Sequence, residues 1–151
     1  MTLAAATSLE CGDVIRIAAA VIFNDARHVL MVRKRGTQFF MQPGGKIEPD
    51  ETPLAALARE LREELRLEID RDASLYLGKF SAEAANENGL MVEADAFETP
   101  LRGPIAAAAE IEEIIWVDPF GPLGLPLAPL SRDHIMPVAR SRRNAANRTH
   151  R

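Results

Sequence analysis

The stretch at residues 44–65, GGKIEPDETPLAALARELREEL, constrains the fold of this chain most, because it places many acidic side chains on a segment with a clear helical pattern. Thr52 is a suitable N-cap. Pro53 suits the first helical position, where its missing N–H would be unpaired in any case. Apolar residues then recur at helical spacing, at Leu54, Leu57, Ala58, Leu61 and Leu65. The pattern predicts an amphipathic helix with one apolar face against a core.

The acidic side chains of this helix lie off its apolar stripe. Glu60, Glu63 and Glu64 stand at i, i+3 and i+4, which places their Cβ atoms within about 5–6 Å of one another. Arg59 can pair with Glu63, but one arginine cannot neutralise several carboxylates. Clustered carboxylate oxygens suit a hard divalent cation such as Mg²⁺ or Mn²⁺. A solvated helix face is the alternative, and it would be the default for an isolated pair of glutamates.

Apolar, β-branched segments flank the predicted helix. Residues 14–23 and 29–35 enclose turn residues at 24–27, which predicts a β-hairpin or two neighbouring strands. Pro43-Gly44-Gly45 is predicted as a tight loop where the backbone can approach a ligand. Later segments are predicted as strands at 74–80, 90–97 and 111–117 and as a helix at 131–143. Strands on both sides of a central helix favour a mixed α/β sandwich over a doubly wound sheet.

The composition narrows the class of protein. The chain has 151 residues and a formal net charge of −4, so it is long enough for one domain with a buried core and lacks the basic excess needed for broad nucleic-acid binding. No apolar run approaches the roughly 20 residues that span a bilayer, and residues 1–12 lack a signal-peptide pattern. The single Cys11 cannot form a disulfide within its own chain. We therefore expect a cytoplasmic protein with no membrane contact, and a homodimer is compatible with these features.

The acidic helix and its lead-in resemble the signature of the Nudix hydrolase family, G-x5-E-x7-R-E-U-x-E-E-x-G-U, where U is aliphatic. Eight of the nine fixed positions match in register over 23 residues. The matching residues are Gly45, Glu51, Arg59, Glu60, Leu61, Glu63, Glu64 and Leu67. The resemblance implies a Nudix α/β/α sandwich with a mixed β-sheet. We expect one such domain at residues 1–139 and a basic, flexible tail at residues 140–151.

The resemblance also implies roles for these residues and a divalent cofactor, Mg²⁺ or Mn²⁺. The implied metal ligands are Gly44, Glu60, Glu63, Glu64 and Glu110. Either Glu60 or a glutamate from a later loop is the general base. Arg59 is expected to orient Glu60, and Glu51 is expected to support the loop.

One position departs from the signature, because Arg66 stands where the family has glycine. A residue other than glycine in a left-handed helix cap costs on the order of 1 kcal/mol. The alternative is a helix that runs on by part of a turn. Since Arg66 has no ligand role in the signature, we expect the departure to affect structure more than chemistry.

Substrate contacts are predicted just before the helix. Arg33 and Arg35 point to the same face of an extended strand, where either could meet a phosphate, and a solvated strand edge is the alternative. Phe39 or Phe40 could stack on a base, although core packing suits at least one of them. Gly45 belongs to the loop that approaches the substrate.

The implied activity is hydrolysis of a pyrophosphate bond in a nucleoside diphosphate linked to another group. A nucleoside triphosphate, intact or damaged, is the first choice, because the chain is short and shows no added substrate domain. ADP-ribose or a nucleotide sugar comes next. A Nudix-fold module that binds or senses a nucleotide without cutting it is an alternative from a different class, and the intact glutamates count against it.

Overall fold

The computed structural model describes residues 14–85, 89–121 and 124–149. Its strands are β1 (Val14–Val21), β2 (Val29–Lys34), β3 (Phe40–Met41), β4 (Gly44–Lys46), β5 (Leu75–Glu83), β6 (Met91–Glu98) and β7 (Ile111–Val117). Its helices are α1 (Pro53–Leu65) and α2 (Met136–Thr149), with a short 3₁₀ turn at Arg71–Ala73 and a π-helix at Ser131–Ile135. A four-stranded mixed sheet has the order β4-β1-β6-β5, and a three-stranded antiparallel sheet has the order β3-β2-β7.

The two sheets form the middle layer of an α/β/α sandwich, which confirms the predicted fold class. Alternate residues of the strand region at 17–23 enter two different cores. Ala18, Ala20 and Ile22 pack in the core that contains α1, whereas Val21 and Phe23 pack in the core that contains the π-helix and the start of α2. Burial on both faces explains why this strand is almost continuously apolar in sequence.

The predicted pairing of the first two strands holds only at their connecting turn. Arg27 N–H donates to Asn24 O at 2.9 Å, and Leu30 N–H donates to Ile22 O at 2.9 Å. Beyond the turn the two strands belong to different sheets. β1 pairs antiparallel with β4 on one edge and parallel with β6 on the other. β2 pairs antiparallel with β3 and β7.

The predicted tight loop at Pro43-Gly44-Gly45 is instead the entry to a short strand, β4, which pairs antiparallel with β1. Gly44 has a φ of 146°, and a Cβ there would lie 2.0 Å from the Ala18 carbonyl oxygen. A side chain at this position would therefore collide with β1. The glycine permits a close approach between two strands, in addition to any approach to a ligand.

The C-terminal helix extends six residues beyond the predicted end at residue 143. Its basic side chains are anchored: Arg142 Nε lies 2.6 Å from Glu98 Oε1, and Arg143 Nη1 lies 2.7 Å from Asp118 Oδ1. These contacts explain why the segment stays helical despite its low apolar content.

Residues 150–151 and Cys11 lie outside the described residues, and the domain boundary at residue 139 stays a prediction. Neither described helix is long and apolar enough to cross a membrane.

The end of α1 adopts the left-handed cap rather than the alternative of a longer helix. Arg66 has φ 57° and ψ 34°, and its N–H donates to Arg62 O at 3.0 Å. Leu67, only 1% exposed, follows it and donates its N–H to Leu61 O at 3.2 Å. Burial of Leu67 thus holds the exposed arginine in a conformation that favours glycine.

Replacing Arg66 with glycine should raise the free energy of unfolding by up to about 1 kcal/mol, because glycine has no Cβ penalty at positive φ. Urea denaturation measures this change. Arg66→Ala is the matched control, since it removes the same guanidinium but keeps Cβ and should give no such gain. A glycine variant less stable than the alanine variant would contradict the assignment of strain to the backbone.

Candidate active site

Arg59, on the acidic face of α1, connects this helix to the loop before it and to β4. Arg59 makes two bonds to Glu51, Nε to Oε2 at 2.7 Å and Nη2 to Oε1 at 2.9 Å. Its Nη1 donates to Glu60 Oε2 at 3.0 Å, and its Nη2 also donates to the Lys46 carbonyl at 3.0 Å. Arg59 Nη1 lies 3.6 Å from Glu63 Oε1. A single side chain thus fixes the position of Glu60 relative to β4.

Glu51 is the anchor of this arginine. The bond from Arg59 lowers the pKa of Glu51 to about 2, with a further contribution from the N–H of Glu48, which donates to Oε1 at 2.9 Å. The same interaction raises the pKa of Arg59 above its usual value. Both groups therefore keep their charges at neutral pH, and they hold the loop between β4 and α1 in one conformation.

Glu64 occupies a different environment from the other glutamates of the helix. It is 4% exposed, and the N–H of Gly44 donates to its Oε1 at 3.3 Å. Burial raises the pKa of Glu64 to about 7. The negative charges of Glu60 and Glu110 add to the rise, whereas Lys34 and the Gly44 N–H act against it. Glu64 is thus a buried carboxylate with other carboxylates near it. The positive charge of Lys34 and the Gly44 N–H compensate its negative charge only in part.

A missing side chain makes room for Glu60. A Cβ on Gly45 would lie 2.3 Å from the Glu60 carboxyl carbon and 2.6 Å from each of its oxygens. The glycine in the signature therefore lets this carboxylate lie directly against β4.

The loop that precedes β7 is attached to the end of α1. Ala106 N–H donates to Leu65 O at 3.0 Å, and Ala108 N–H donates to Glu64 O at 2.9 Å. These bonds satisfy helix carbonyls that would otherwise lack a partner. They also bring the exposed Glu110 close enough to act electrostatically on Glu64.

The structure does not bring Arg33 and Arg35 to the carboxylates of α1. Arg33 Nε pairs with Glu113 at 2.8 Å, and Arg35 Nε lies 3.4 Å from Glu112, so both bind β7. Lys34 lies between them in sequence, and its positive charge acts on Glu64 and lowers its pKa. In the alternation of β2, Lys34 falls on the same strand face as Leu30 and Val32, which pack in the core beneath α1. This alternation can be seen in the sequence, but only the position of α1 shows which face of β2 lies towards Glu64.

The two phenylalanines differ in burial. Phe40 is 6% exposed and belongs to the core that contains α2, which confirms the core-packing alternative for one of the pair. Phe39 is partly buried, and its predicted stacking on a base stays a prediction.

A cavity of about 170 Å³ is lined in part by Gly44 and Gly45, whose backbone lies against Glu64 and Glu60. Its charged lining residues are Lys34, Lys46 and Glu83. Much of the remaining wall is apolar and includes Ile15, Ile17, Met41, Val92 and Leu130. An anionic group in this cavity would meet two lysines, and an apolar ring would meet the strand side chains.

The carboxylates of Glu60, Glu63 and Glu64 are suitable ligands for a divalent cation, but their side chains do not converge on one point in this structure. Within residues 14–85, 89–121 and 124–149, no three acidic, histidine or cysteine side chains stand together as a metal site. The sequence predicted convergence, yet Glu60 turns to Arg59, Glu64 turns to Gly44, and Glu63 is 55% exposed at its side chain. The donor set still suits a hard cation, because it combines several carboxylate oxygens with a nearby backbone carbonyl.

Comparisons with known proteins agree with this geometry. The model of the NUDIX domain family matches residues 14–129. The chain is 33% identical over 119 residues to a CTP pyrophosphohydrolase of Escherichia coli (strain K12), covering 76% of this chain and 84% of that protein. It is 37% identical over 67 residues to an 8-oxo-dGTP diphosphatase of Haemophilus influenzae, covering 42% of this chain and 48% of that protein.

A solved structure extends the likeness to the whole fold. A nudix hydrolase family member from Chromobacterium violaceum matches with a TM-score of 0.69 and 26% identity, covering 91% of this chain and 88% of that one. Proteins of this family generally use a divalent metal. The signature, the fold and these relatives together show that the chain belongs to the Nudix hydrolase family and is a pyrophosphohydrolase.

Proposed function

We propose that this protein is a Mg²⁺-dependent hydrolase that converts a nucleoside triphosphate to the monophosphate and pyrophosphate. The observation that carries the proposal is the buried carboxylate of Glu64, with Glu60 and Glu110 near it, beside a cavity lined by two lysines. Burying a charged carboxylate among others of like charge is costly unless a cation compensates it. Such an arrangement is explained by a cation site that serves a polyphosphate.

Glu60, Glu63 and Glu64, with the carbonyl of Gly44, would hold the metal. When bound, Mg²⁺ supplies charge neutralisation on the pyrophosphate oxygens and a lower pKa for the attacking water. The chain itself orients these ligands. Arg59 holds Glu60 against β4, and Gly44 holds Glu64 through its N–H.

The remaining charges have separate roles in the proposal. Lys34 and Lys46 line the cavity and would bind phosphate oxygens, a role that the sequence had suggested for Arg33 and Arg35. Of the two candidates for the general base, Glu110 is favoured over Glu60. Glu60 accepts a bond from Arg59 at 3.0 Å, whereas Glu110 has no side-chain hydrogen bond to another described residue. A carboxylate oxygen that does not already bind an arginine can accept a hydrogen bond from the attacking water.

The size of the cavity supports a triphosphate as the substrate. At about 170 Å³ it is smaller than the roughly 300–1,000 Å³ of pockets that enclose whole ligands. It would hold one ring system, with the phosphates extending past Gly44 and Gly45. Two relatives named for CTP and for 8-oxo-dGTP also act on single nucleotides, according to their names. ADP-ribose and nucleotide sugars carry a second bulky group, and a cavity of about 170 Å³ would not enclose both of their large groups.

Glu64→Gln keeps the shape of the side chain and removes its charge. We expect the variant to fold like the parent and to turn over nucleoside triphosphates at least about a hundredfold more slowly, equivalent to roughly 2.7 kcal/mol of barrier. Release of pyrophosphate from a panel of intact and oxidised nucleotides, with Mg²⁺ or with excess EDTA, measures this effect.

Glu68→Gln is the matched control, because Glu68 lies just beyond α1 and its side chain is 72% exposed and paired with Arg62. It should retain the parent's turnover. Parent-like activity of Glu64→Gln, or full activity of the parent in EDTA, would contradict the proposed metal role.

Gly45→Ala tests the position of Glu60 without changing any charge. The new Cβ would displace the Glu60 carboxylate, and a shift of about 1 Å in a reacting group can reduce the rate about a hundredfold. The cost in stability should stay within about 1–3 kcal/mol, since the group that must move is the end of a flexible side chain. Steady-state kinetics and urea unfolding measure the two effects. Gly124→Ala is the control, because no atom lies within 4 Å of a Cβ built there; equal kinetics in both variants would show that the position of Glu60 is unimportant.

A further inference from the structure

The loop before β7 contains a backbone conformation that alanine rarely adopts. Ala109 has a φ of 51°, in the left-handed region that favours glycine. The N–H of Ile111 donates to Ala108 O at 3.0 Å, so Ala109 and Glu110 are the central residues of a tight turn at residues 108–111. Glycine is the usual residue where the first central position of such a turn has a positive φ. An alanine at this position is therefore strained.

Backbone hydrogen bonds hold this turn on both sides, which explains why the strained conformation persists. On one side, the N–H of Ala108 donates to the carbonyl of Glu64 at 2.9 Å, near the end of α1. On the other side, the N–H of Arg35 donates to the carbonyl of Glu110 at 2.7 Å. The turn at residues 108–111 is thus attached to α1 and to the segment that follows β2.

The segment that follows β2 is itself a closed turn. The N–H of Thr37 donates to Lys34 O at 3.1 Å, and the Thr37 hydroxyl donates to the same oxygen at 2.9 Å. The register of β2 against β7 shifts between Arg33 and Lys34, directly before this turn. Irregular strand pairing of this kind is common next to active sites, where it redirects a side chain. The bond from Arg35 to Glu110 therefore comes from a turn with its own internal bonds.

The turn at residues 108–111 determines where the carboxylate of Glu110 lies. The negative charge of Glu110 helps to raise the pKa of Glu64, so the two carboxylates are neighbours. Ala109 lies between the two points at which the turn is attached, and a change in its φ would move Glu110 relative to Glu64. A shift of about 1 Å in a reacting group can reduce the rate about a hundredfold. The strained conformation therefore fixes a distance that matters for catalysis.

We propose that Ala109 is a positioning residue, whose left-handed conformation holds Glu110 where it can take a proton from the attacking water. The inference rests on the proposed function, in which Glu110 is the favoured general base. In this step the water oxygen bonds to phosphorus, and one water proton passes to the Glu110 carboxylate. The electron pair of the broken bond stays on the departing phosphate oxygen. Ala109 acts only through Glu110.

Ala109→Val tests the inference, because a β-branched residue strongly disfavours positive φ. This variant should lower kcat for a nucleoside triphosphate at least about tenfold, and KM should stay within about twofold of the parent's, since Ala109 does not line the cavity. Ala109→Gly should keep kcat within about threefold of the parent's, because glycine adopts the same φ without strain. Steady-state kinetics measure all three constants. A slow glycine variant would show that the methyl group matters rather than the backbone.

Ala107→Val is the matched control, because Ala107 is exposed in the same loop and its φ is not positive. It should keep the parent's kcat. Glu110→Gln should lower kcat at least about a hundredfold, as expected for the loss of a general base. Adding Ala109→Val to Glu110→Gln should cause no further loss, because no base is then left to misplace. Parent-like kcat in Ala109→Val, or effects that multiply in the double variant, would overturn the inference.

Arg35→Pro keeps the test decisive even if Ala109→Val fails to fold. Proline suits the second position of the turn after β2, and it removes the N–H that binds the Glu110 carbonyl. Arg35→Ala removes the same guanidinium but keeps this N–H. We expect kcat of the proline variant to be at least about fivefold below that of the alanine variant, because the turn at residues 108–111 loses one attachment. Equal kcat values in these two variants would contradict the inference.

Urea denaturation at pH 8 in EDTA measures the position of Glu110 without any activity. Glu110→Gln should raise the urea midpoint of the parent, because it removes a carboxylate beside Glu64. The same change should raise the midpoint less in the Ala109→Val background, where Glu110 has moved away. If no triphosphate is hydrolysed, the proposed function fails, but unequal gains would still support the positioning role. Equal gains in both backgrounds would overturn that role, and parent-like kcat in Glu110→Gln would overturn the base assignment together with the inference.

Discussion

The buried carboxylate of Glu64 is the constraint on which the rest of the site depends. The apolar face of α1 requires this helix to pack closely on β1 and β2, and that packing leaves Glu64 with 4% exposure. Its surroundings raise its pKa to about 7, so a cation bound as proposed would displace a proton from this carboxyl at neutral pH. The stability that the helix gains from burying its leucines is partly offset by this carboxylate. The proposed metal role accounts for this offset, because a bound cation would compensate the buried charge.

The other parts of the site keep that carboxylate in place. Arg59 joins Glu51, Glu60 and the Lys46 carbonyl, and it therefore fixes the loop between β4 and α1 as well as one further carboxylate. The loop before β7 is attached to the carbonyls at the end of α1, which brings a later glutamate to the same place. Rigid positioning of this kind is what phosphoryl transfer requires of a protein, since most of its catalysis comes from orientation and electrostatics.

Local features of the site were predictable from sequence, whereas features that join distant segments were not. The cap at Thr52 and the spacing of the glutamates depend on contacts within a few residues, and the structure shows both the cap and the helix. Lys34 was missed because the choice between strand faces depends on where α1 packs, and the pairing of β2 with β7 shifts register next to it. The bond from the Arg35 N–H to the Glu110 carbonyl joins segments far apart in sequence and matches no short pattern. Gly45 was recognised from the signature, but its steric role towards a glutamate became visible only in three dimensions.

The free energy of unfolding of the parent and of Glu64→Gln, measured at pH 8 in EDTA and in Mg²⁺, tests the central claim most directly. A carboxyl whose pKa rises from 4.5 to about 7 on folding destabilises the metal-free protein above pH 7, by an amount on the order of 3 kcal/mol, and has no such effect below pH 4.5. The variant in EDTA should therefore be more stable than the parent at pH 8, and the difference should shrink as the pH falls towards 4.5. Mg²⁺ should stabilise the parent and have much less effect on the variant. Equal stabilities in EDTA at pH 8, together with equal responses to Mg²⁺, would contradict the account.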